Sequence, residues 1–329
     1  MPRIAVQGIS LHYEEAGAGE PLLFIHGLGS SGRDWEMQIP FFAQNYRVVV
    51  FDLRGHGQSD KPRGPYTMSQ FAADAAGLMQ ALGIAPAHVV GISLGGMIAL
   101  QLAVDRPDSV KSLVIVNSGP EFVARTLKER LAVLQRFLIV RLVGMRKMGE
   151  ILAARLFPKP EQQALRAMLV ERWAANDPRA YRDAMRAIVG WSVADRLGEI
   201  AVPTLVVAAD QDYTPVSAKQ AYVAKMPRAE LAVIHDARHA LPVERPDEFN
   251  AVVAQDVVSG RAVKEEVRQR HVVEIFLASH RSCRAGSRRK RNLARPGTLE
   301  FRRLDRLDVA KDLLNSCLQL GECILGVGE

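Results

Sequence analysis

The residues whose types and spacing suit chemistry are a serine, a histidine and a choice of two aspartates. Ser93 stands in Gly91-Ile92-Ser93-Leu94-Gly95, a Gly-x-Ser-x-Gly pentapeptide with Gly96 directly after it. The pentapeptide alone is weak, because chance produces it; its setting is the stronger signal. An apolar run ("HVVGI") ends one residue before Ser93, and a helical pattern ("LGGMIALQLA") starts one residue after it. A serine on such a strand-to-helix turn is held in strained backbone with its hydroxyl exposed. Gly91 and Gly95 flank it at two residues on either side, where a Cβ would collide across the turn. Gly96 lets the helix lie close to the sheet. The N-terminus of that helix offers free N–H groups and a positive dipole end to a developing oxyanion.

A serine hydroxyl needs a base, and the base needs an orienting acid. His239, in "IHDARHALPVERPDEF", falls between an apolar run ending near His235 and a final helical stretch, so it is the expected base. His235 suits the end of the strand or a backbone bond. Asp210 and Asp212, in "LVVAADQDYTPV", both follow another apolar run directly, and Asp210 is suited to holding the turn. The order Ser93, Asp212, His239 is that of nucleophile, acid and base on an α/β sheet. The expected oxyanion donors are the backbone N–H of Leu94 and, from "FIHGLGSSGRDW", that of Leu28, with His26 propping the loop. Such a set performs two-step acyl transfer, which calls for no metal and no cofactor.

These residues require a sheet to position them. Apolar runs of strand length recur at 21–26 ("PLLFIH"), 47–52 ("RVVVFD"), 88–92 ("HVVGI"), 110–117 ("VKSLVIVN"), 204–209 ("TLVVAA") and 230–235 ("ELAVIH"). Their Val/Ile/Leu-rich, non-alternating character fits parallel strands covered on both faces. Helical stretches are expected at 69–82, 94–104, 217–225 and 246–258, the last opening on Pro246 with acids in its first turn. Residues 3–9 and 11–15 suggest a hairpin. The alternation predicts an open α/β sheet. From 121 to about 195 no strand pattern occurs, and an insertion of that size predicts a small helical cap.

Composition bounds the rest. The chain has 329 residues, 48% hydrophobic and 24% charged, with a net charge of +7. Of its 43 basic and 36 acidic residues, 15 and 9 lie beyond residue 259, which leaves 28 and 27 in the part before. Cys283, Cys317 and Cys323 also fall in that last segment, and they give neither a metal-ligand spacing nor a disulfide framework. The segment "SHRSCRAGSRRKRNLARPG" is basic and poor in apolar residues, for which disorder is the expectation. Its RRKR run, without aromatics, does not make a nucleic-acid site, so no nucleic-acid partner is expected. Leu304, Leu307, Leu314 and Leu318 share one helical face. No apolar run reaches the ~18 residues of a membrane span, and the first residues carry no secretory signal. A cytoplasmic location with no membrane partner is the expectation.

Together, "FIHGLGSSGRDW", "VVVFDLRGHGQSD", "GISLGGMIALQLA", "VPTLVVAADQDYTPV" and "DARHALPVERPDEF" resemble, in their order, the motifs of the α/β-hydrolase family. The resemblance covers about residues 3–258. It implies an eight-stranded, mostly parallel sheet flanked by helices, with a helical lid inserted after the sixth strand. The implied division is a core of 1–119 and 196–259, a cap of 120–195, and a basic extension of 260–329. Ala209 stands where the family's turn usually has glycine, and the acid maps to Asp212. Asn117, after the sixth strand, leaves the family's alternative acid position without an acid. Ser93 excludes the aspartate-nucleophile dehalogenases and epoxide hydrolases. What remains resembles carboxylesterases, enol-lactonases, carbon–carbon bond hydrolases and cofactor-free haloperoxidases, with a ligand receptor on the same fold as the reading from another class. The implied substrate is a small carboxylic ester or lactone. The apolar stretch 127–156 suits an apolar group, and Arg141, Arg146 or Lys147 are candidates to bind a substrate carboxylate. In "DLRGHGQSD", Arg54 and Asp60 are expected in structural ion pairs.

Overall fold

In the computed structural model, residues 2–259 are described. The basic segment 260–329, with its cysteines, its RRKR run and its leucine face, lies outside the described residues.

Eight strands form one sheet: β1 (Arg3–Val6), β2 (Ile9–Ala16), β3 (Glu20–Ile25), β4 (Tyr46–Phe51), β5 (Ala87–Ile92), β6 (Val110–Val116), β7 (Thr204–Ala209) and β8 (Ala229–Ile234). Their order in space is β1-β2-β4-β3-β5-β6-β7-β8. The two pairings made by β2 are antiparallel, and all those from β3 to β8 are parallel. The apolar runs do not alternate because each strand feeds two cores. Leu23, Ile25, Val89 and Leu113 point to one side of the sheet, and Leu22, Phe24, Val90 and Val114 to the other. Burial on both faces is what a parallel sheet covered by helices demands.

The helices are α1 (Ile39–Phe42), α2 (Met68–Ala81), α3 (Leu94–Asp105), α4 (Leu127–Leu142), α5 (Met145–Leu156), α6 (Gln163–Ala174), α7 (Pro178–Ile188), α8 (Val216–Val223), α9 (Leu241–Glu244) and α10 (Pro246–Ser259). Their starts are written locally. Thr67 with Gln70, and Thr126 with Glu129, form capping boxes at α2 and α4, and Asp177 caps α7, whose first residue is Pro178. Each device satisfies backbone N–H groups that the helix itself cannot.

Helices α4 to α7 fill the interval between β6 and β7, and an antiparallel bridge between Glu121 and Ser192 draws its two ends together. They enclose a small apolar cluster of Val140, Met145, Met148, Trp173 and Tyr181, against which Leu28 packs.

Two sequence expectations are refined. The first hairpin strand ends at Val6 rather than residue 9, because Gln7 (φ 50°) and Gly8 (φ 75°) both take left-handed backbone. A two-residue turn of that kind matches the twist of the flanking strands. In the loop after β4, Arg54 pairs with Asp74, with Nη2 donating to Oδ1 at 2.7 Å, and Asp60 pairs with Arg3. Asp52 accepts from the N–H groups of Gly32 (2.8 Å) and Gln58 (2.7 Å). It therefore ties the loop after β3 to the loop after β4.

Candidate active site

The turn at Ser93 is strained by design of its neighbours. Ser93 has φ 54° and ψ −116°, between β5 and α3. A Cβ on Gly91 would overlap the carbonyl oxygen of Gly95, and one on Gly95 would overlap that of Ile25 at the end of β3. Gly91 thus clears the turn itself, as its position suggests, whereas Gly95 clears the neighbouring strand. A Cβ on Gly96 would meet the Ser118 side chain, which donates from Oγ to the Ser93 carbonyl at 2.7 Å. The Ser93 N–H donates to Val116 O at 3.0 Å. The backbone of the serine is held on both sides.

His239 and Asp212 come together from the ends of β8 and β7. The His239 Nδ1 lies 2.6 Å from Asp212 Oδ1, so Nδ1–H donates to the carboxylate and Nε2 is left as the basic nitrogen. Asp212 is buried. Burial alone would raise its carboxyl, but His239 and the Lys219 ammonium outweigh it and hold the group down to about 2. Asp210 does something else. It accepts from the N–H groups of Asp236 (3.1 Å) and Ala237 (3.3 Å), and it lies 3.2 Å from His235 Nδ1. His235 therefore meets a carboxylate rather than the backbone.

The part played by two residues of this site escaped the sequence reading. Lys219, on α8, is fully buried. Its Nζ donates to Asp212 Oδ2 at 2.6 Å and to Thr214 O and Oγ1 at 2.8 and 2.7 Å. Asn117, in the position that lacks an acid, accepts from Ala209 N–H at 2.8 Å. It donates from Nδ2 to the carbonyls of Arg238 and His239, each at 3.1 Å. An amide stands there as a strut under the histidine loop.

Ser93 and His239 open on two adjoining spaces, a larger cavity of about 510 Å³ and a smaller one of about 90 Å³. Leu28, Leu156 and Trp173 line both. Leu28 and Leu94 both face the larger cavity beside Ser93. Neither backbone N–H has a hydrogen-bond partner among the described residues. The loop carrying Leu28 is pinned by His26, with Nδ1 2.8 Å from Gly27 O and Nε2 accepting from Leu53 N–H at 3.0 Å. Burial lowers this imidazole's proton affinity, in keeping with a neutral prop. Tyr213 stacks on His239, ring centroids 4.4 Å apart.

Arg141, Arg146 and Lys147 stand away from this space. Arg146 pairs with Glu171 at 2.7 Å and Lys147 with Glu150 at 2.9 Å, both on the surface, and Arg141 is exposed. The arginine that lines the cavity is Arg136.

A doubly covered parallel sheet, with a serine on the turn after its fifth strand and a histidine–aspartate pair after the last two, defines a class of hydrolase. The profile of the alpha/beta hydrolase fold matches residues 20–246, more than half of the chain, and the chain belongs to that family. It is 29% identical over 256 residues to 3-oxoadipate enol-lactonase 2 of Acinetobacter baylyi, covering 76% of this chain and 94% of that protein. To the (E)-2-((N-methylformamido)methylene)succinate hydrolase of the same organism it is 30% identical over 247 residues, 73% of this chain and 90% of the relative. Among solved structures, the enol-lactonase of Burkholderia xenovorans LB400 superposes with a TM-score of 0.73 at 26% identity, covering 78% of this chain and all of that one. The chain is an enzyme of the hydrolase class.

Proposed function

We propose that the protein is a serine hydrolase that cleaves a small carboxylic ester or lactone through an acyl-enzyme on Ser93. The observation that carries this reading is the convergence of Ser93 and His239 on one cavity, with Asp212 held 2.6 Å behind the imidazole. His239 Nε2 takes the Ser93 hydroxyl proton as Oγ attacks the carbonyl carbon. The N–H groups of Leu28 and Leu94 receive the negative oxygen, and their dipoles are in place before the charge develops. Asp212, ionised and buried, balances the imidazolium. His239 then gives its proton to the departing alkoxide or enolate, and the acyl group stays on Ser93. A water that His239 deprotonates attacks the ester and releases the acid.

The two cavities that meet at Ser93 suit the two halves of such a substrate. In this reading α4 to α7 are a cap over the core of 1–119 and 196–259. The enol-lactonase names among the relatives support the ester or lactone class. Labelling with a fluorophosphonate probe tests the nucleophile: wild type labels, and Ser93→Ala and His239→Ala do not. Hydrolysis of p-nitrophenyl esters and simple lactones should fall by several orders of magnitude in either variant, because the three residues act as a unit. Equal labelling of wild type and Ser93→Ala would overturn the reading.

A further inference from the structure

Charge is sparse on the walls of the larger cavity, and most of it is already matched. Asp212 and Lys219 hold each other. Glu121 accepts from Arg125 Nη2 at 2.8 and 2.9 Å. Lys225 is exposed. Arg136 is different. It is half-buried on α4, it lines the cavity, and Leu131, Leu134 and Leu138 mark the opposite, exposed side of the helix.

Arg136 has no carboxylate partner among the described residues. Its Nε donates to the Tyr181 hydroxyl at 2.7 Å, and its guanidinium carbon lies 5.8 Å from the centre of the Tyr181 ring. Tyr181 is itself buried and packs edge-on against Trp173, 5.6 Å between centroids. The guanidinium is thus fixed along one edge, and Nη1 and Nη2 remain as an open fork. That fork matches the two oxygens of a carboxylate through parallel N–H···O bonds. The reacting groups are close by. Arg136 lines the same cavity as Ser93, Tyr213 and His239, and Tyr213 stacks on His239.

We propose that Arg136 is an anion anchor, and that the substrate is an ester or lactone carrying a separate, ionised carboxylate that this fork holds while the reacting carbonyl lies at Ser93. The inference rests on the hydrolase reading above. A half-buried cation facing apolar walls is costly without a partner, and a bound carboxylate relieves that cost. Such an anchor selects substrates by charge and sets their register relative to Ser93.

Two matched ester pairs test it. Mono-p-nitrophenyl glutarate against p-nitrophenyl butyrate places the charge on the acyl side, and 4-carboxyphenyl butyrate against phenyl butyrate places it on the leaving side. The variants are Arg136→Gln, which keeps a donor for Tyr181, and Arg136→Lys. In Arg136→Gln the anionic-to-neutral ratio of kcat/KM should fall about 10- to 100-fold in one pair, mainly through KM, as for loss of a hydrogen bond between charged groups. The affected pair identifies the side of the scissile bond that bears the carboxylate, and Arg136→Lys should recover part of the ratio. Equal losses on anionic and neutral esters in both pairs would overturn the proposal, because that is the signature of a structural role. If wild type turns over no ester and Ser93 does not label, the hydrolase reading fails instead. Calorimetric titration with glutarate then decides the anchor alone: affinity about 10-fold weaker in Arg136→Gln supports it, and equal affinity overturns it.

Discussion

Lys219 Nζ lies 2.6 Å from Asp212 Oδ2, the carboxylate oxygen that His239 does not use. Both side chains are only 1% exposed. The two remaining ammonium protons are spent on Thr214 O and Oγ1. The carboxylate is therefore gripped from behind, and Oδ1 is left facing the imidazole. Removing the lysine would strand a buried charge, which is far more costly than the intact pair. Lys219→Met is expected to lose about 3–5 kcal/mol of stability, with kcat falling in the fraction that stays folded. Urea unfolding alongside ester kinetics measures both. A loss of less than about 1 kcal/mol, the range of exposed pairs, would show that the contact is incidental.

The glycines around Ser93 differ in what they avoid, and Gly95 makes the sharpest test. Its missing Cβ would overlap Ile25 O, a backbone atom at the end of β3 that cannot rotate away. Gly95→Ala should destabilise the fold by about 3 kcal/mol or more, at the upper end of overpacking costs. Gly198→Ala is the control, since nothing lies within 4 Å of its added methyl. It should stay within about 0.5 kcal/mol of wild type. Similar melting temperatures for the two variants would mean that the β5–α3 turn yields more easily than its contacts suggest.

The sheet was legible because both-sided burial turns each central strand into an unbroken apolar word, as in "TLVVAA", which becomes β7 without a residue's change of bounds. The placement of Ser93 and His239 was legible because glycines and strand ends mark where side chains reach the sheet's edge. The pair Asp210 and Asp212 was not separable by position, since both follow β7 directly. What separates them is the partner each meets after the chain returns through β8: Asp236 and Ala237 N–H groups for one, His239 for the other. Lys219 was invisible because a lysine on a short helix is solvated by default, and only the fold brings Asp212 to it. Arg136 was hidden by an inverted pattern. The leucines of α4 face outward and this arginine lines the cavity, whereas Arg141, Arg146 and Lys147, the cations named from the sequence, do not.

Asn117 occupies left-handed backbone (φ 42°), which asparagine tolerates better than most residues. Its side chain spans from β7 to the carbonyls of Arg238 and His239. Asn117→Ala removes all three bonds and leaves buried backbone groups unpaired, for which about 1–3 kcal/mol of destabilisation is expected. The loop carrying His239 should loosen, so kcat falls more than KM changes. Asn117→Asp keeps an acceptor for Ala209 N–H but offers no donor to the two carbonyls, and it should not restore activity. Wild-type kcat in Asn117→Asp would show that the carbonyl contacts are idle.

Stability should decline as the solution is acidified well before the carboxylates titrate, and His56 is a main reason. This imidazole is buried in the loop after β4, where Nδ1–H donates to Arg54 O at 3.0 Å and Nε2 has no partner among the described residues. Burial, with His26 beside it, lowers it from 6.5 to about 3. Above pH 6.5 the folded and unfolded chains are both neutral at this position, and its contribution is fully present. Between 6.5 and about 3 the unfolded chain binds a proton that the folded chain refuses, so stability falls with pH throughout that window. One such proton corresponds to a slope of about 1.4 kcal/mol per pH unit. His56→Gln removes the titration, and its unfolding free energy, measured in urea from pH 7 to 4, should fall less steeply than wild type by up to about that slope. The remaining decline belongs to His26 and His88, which burial also lowers, and near pH 4 to carboxylates that the fold holds low, Asp212 among them. Parallel profiles for the variant and wild type would show that His56 is protonated in the folded enzyme.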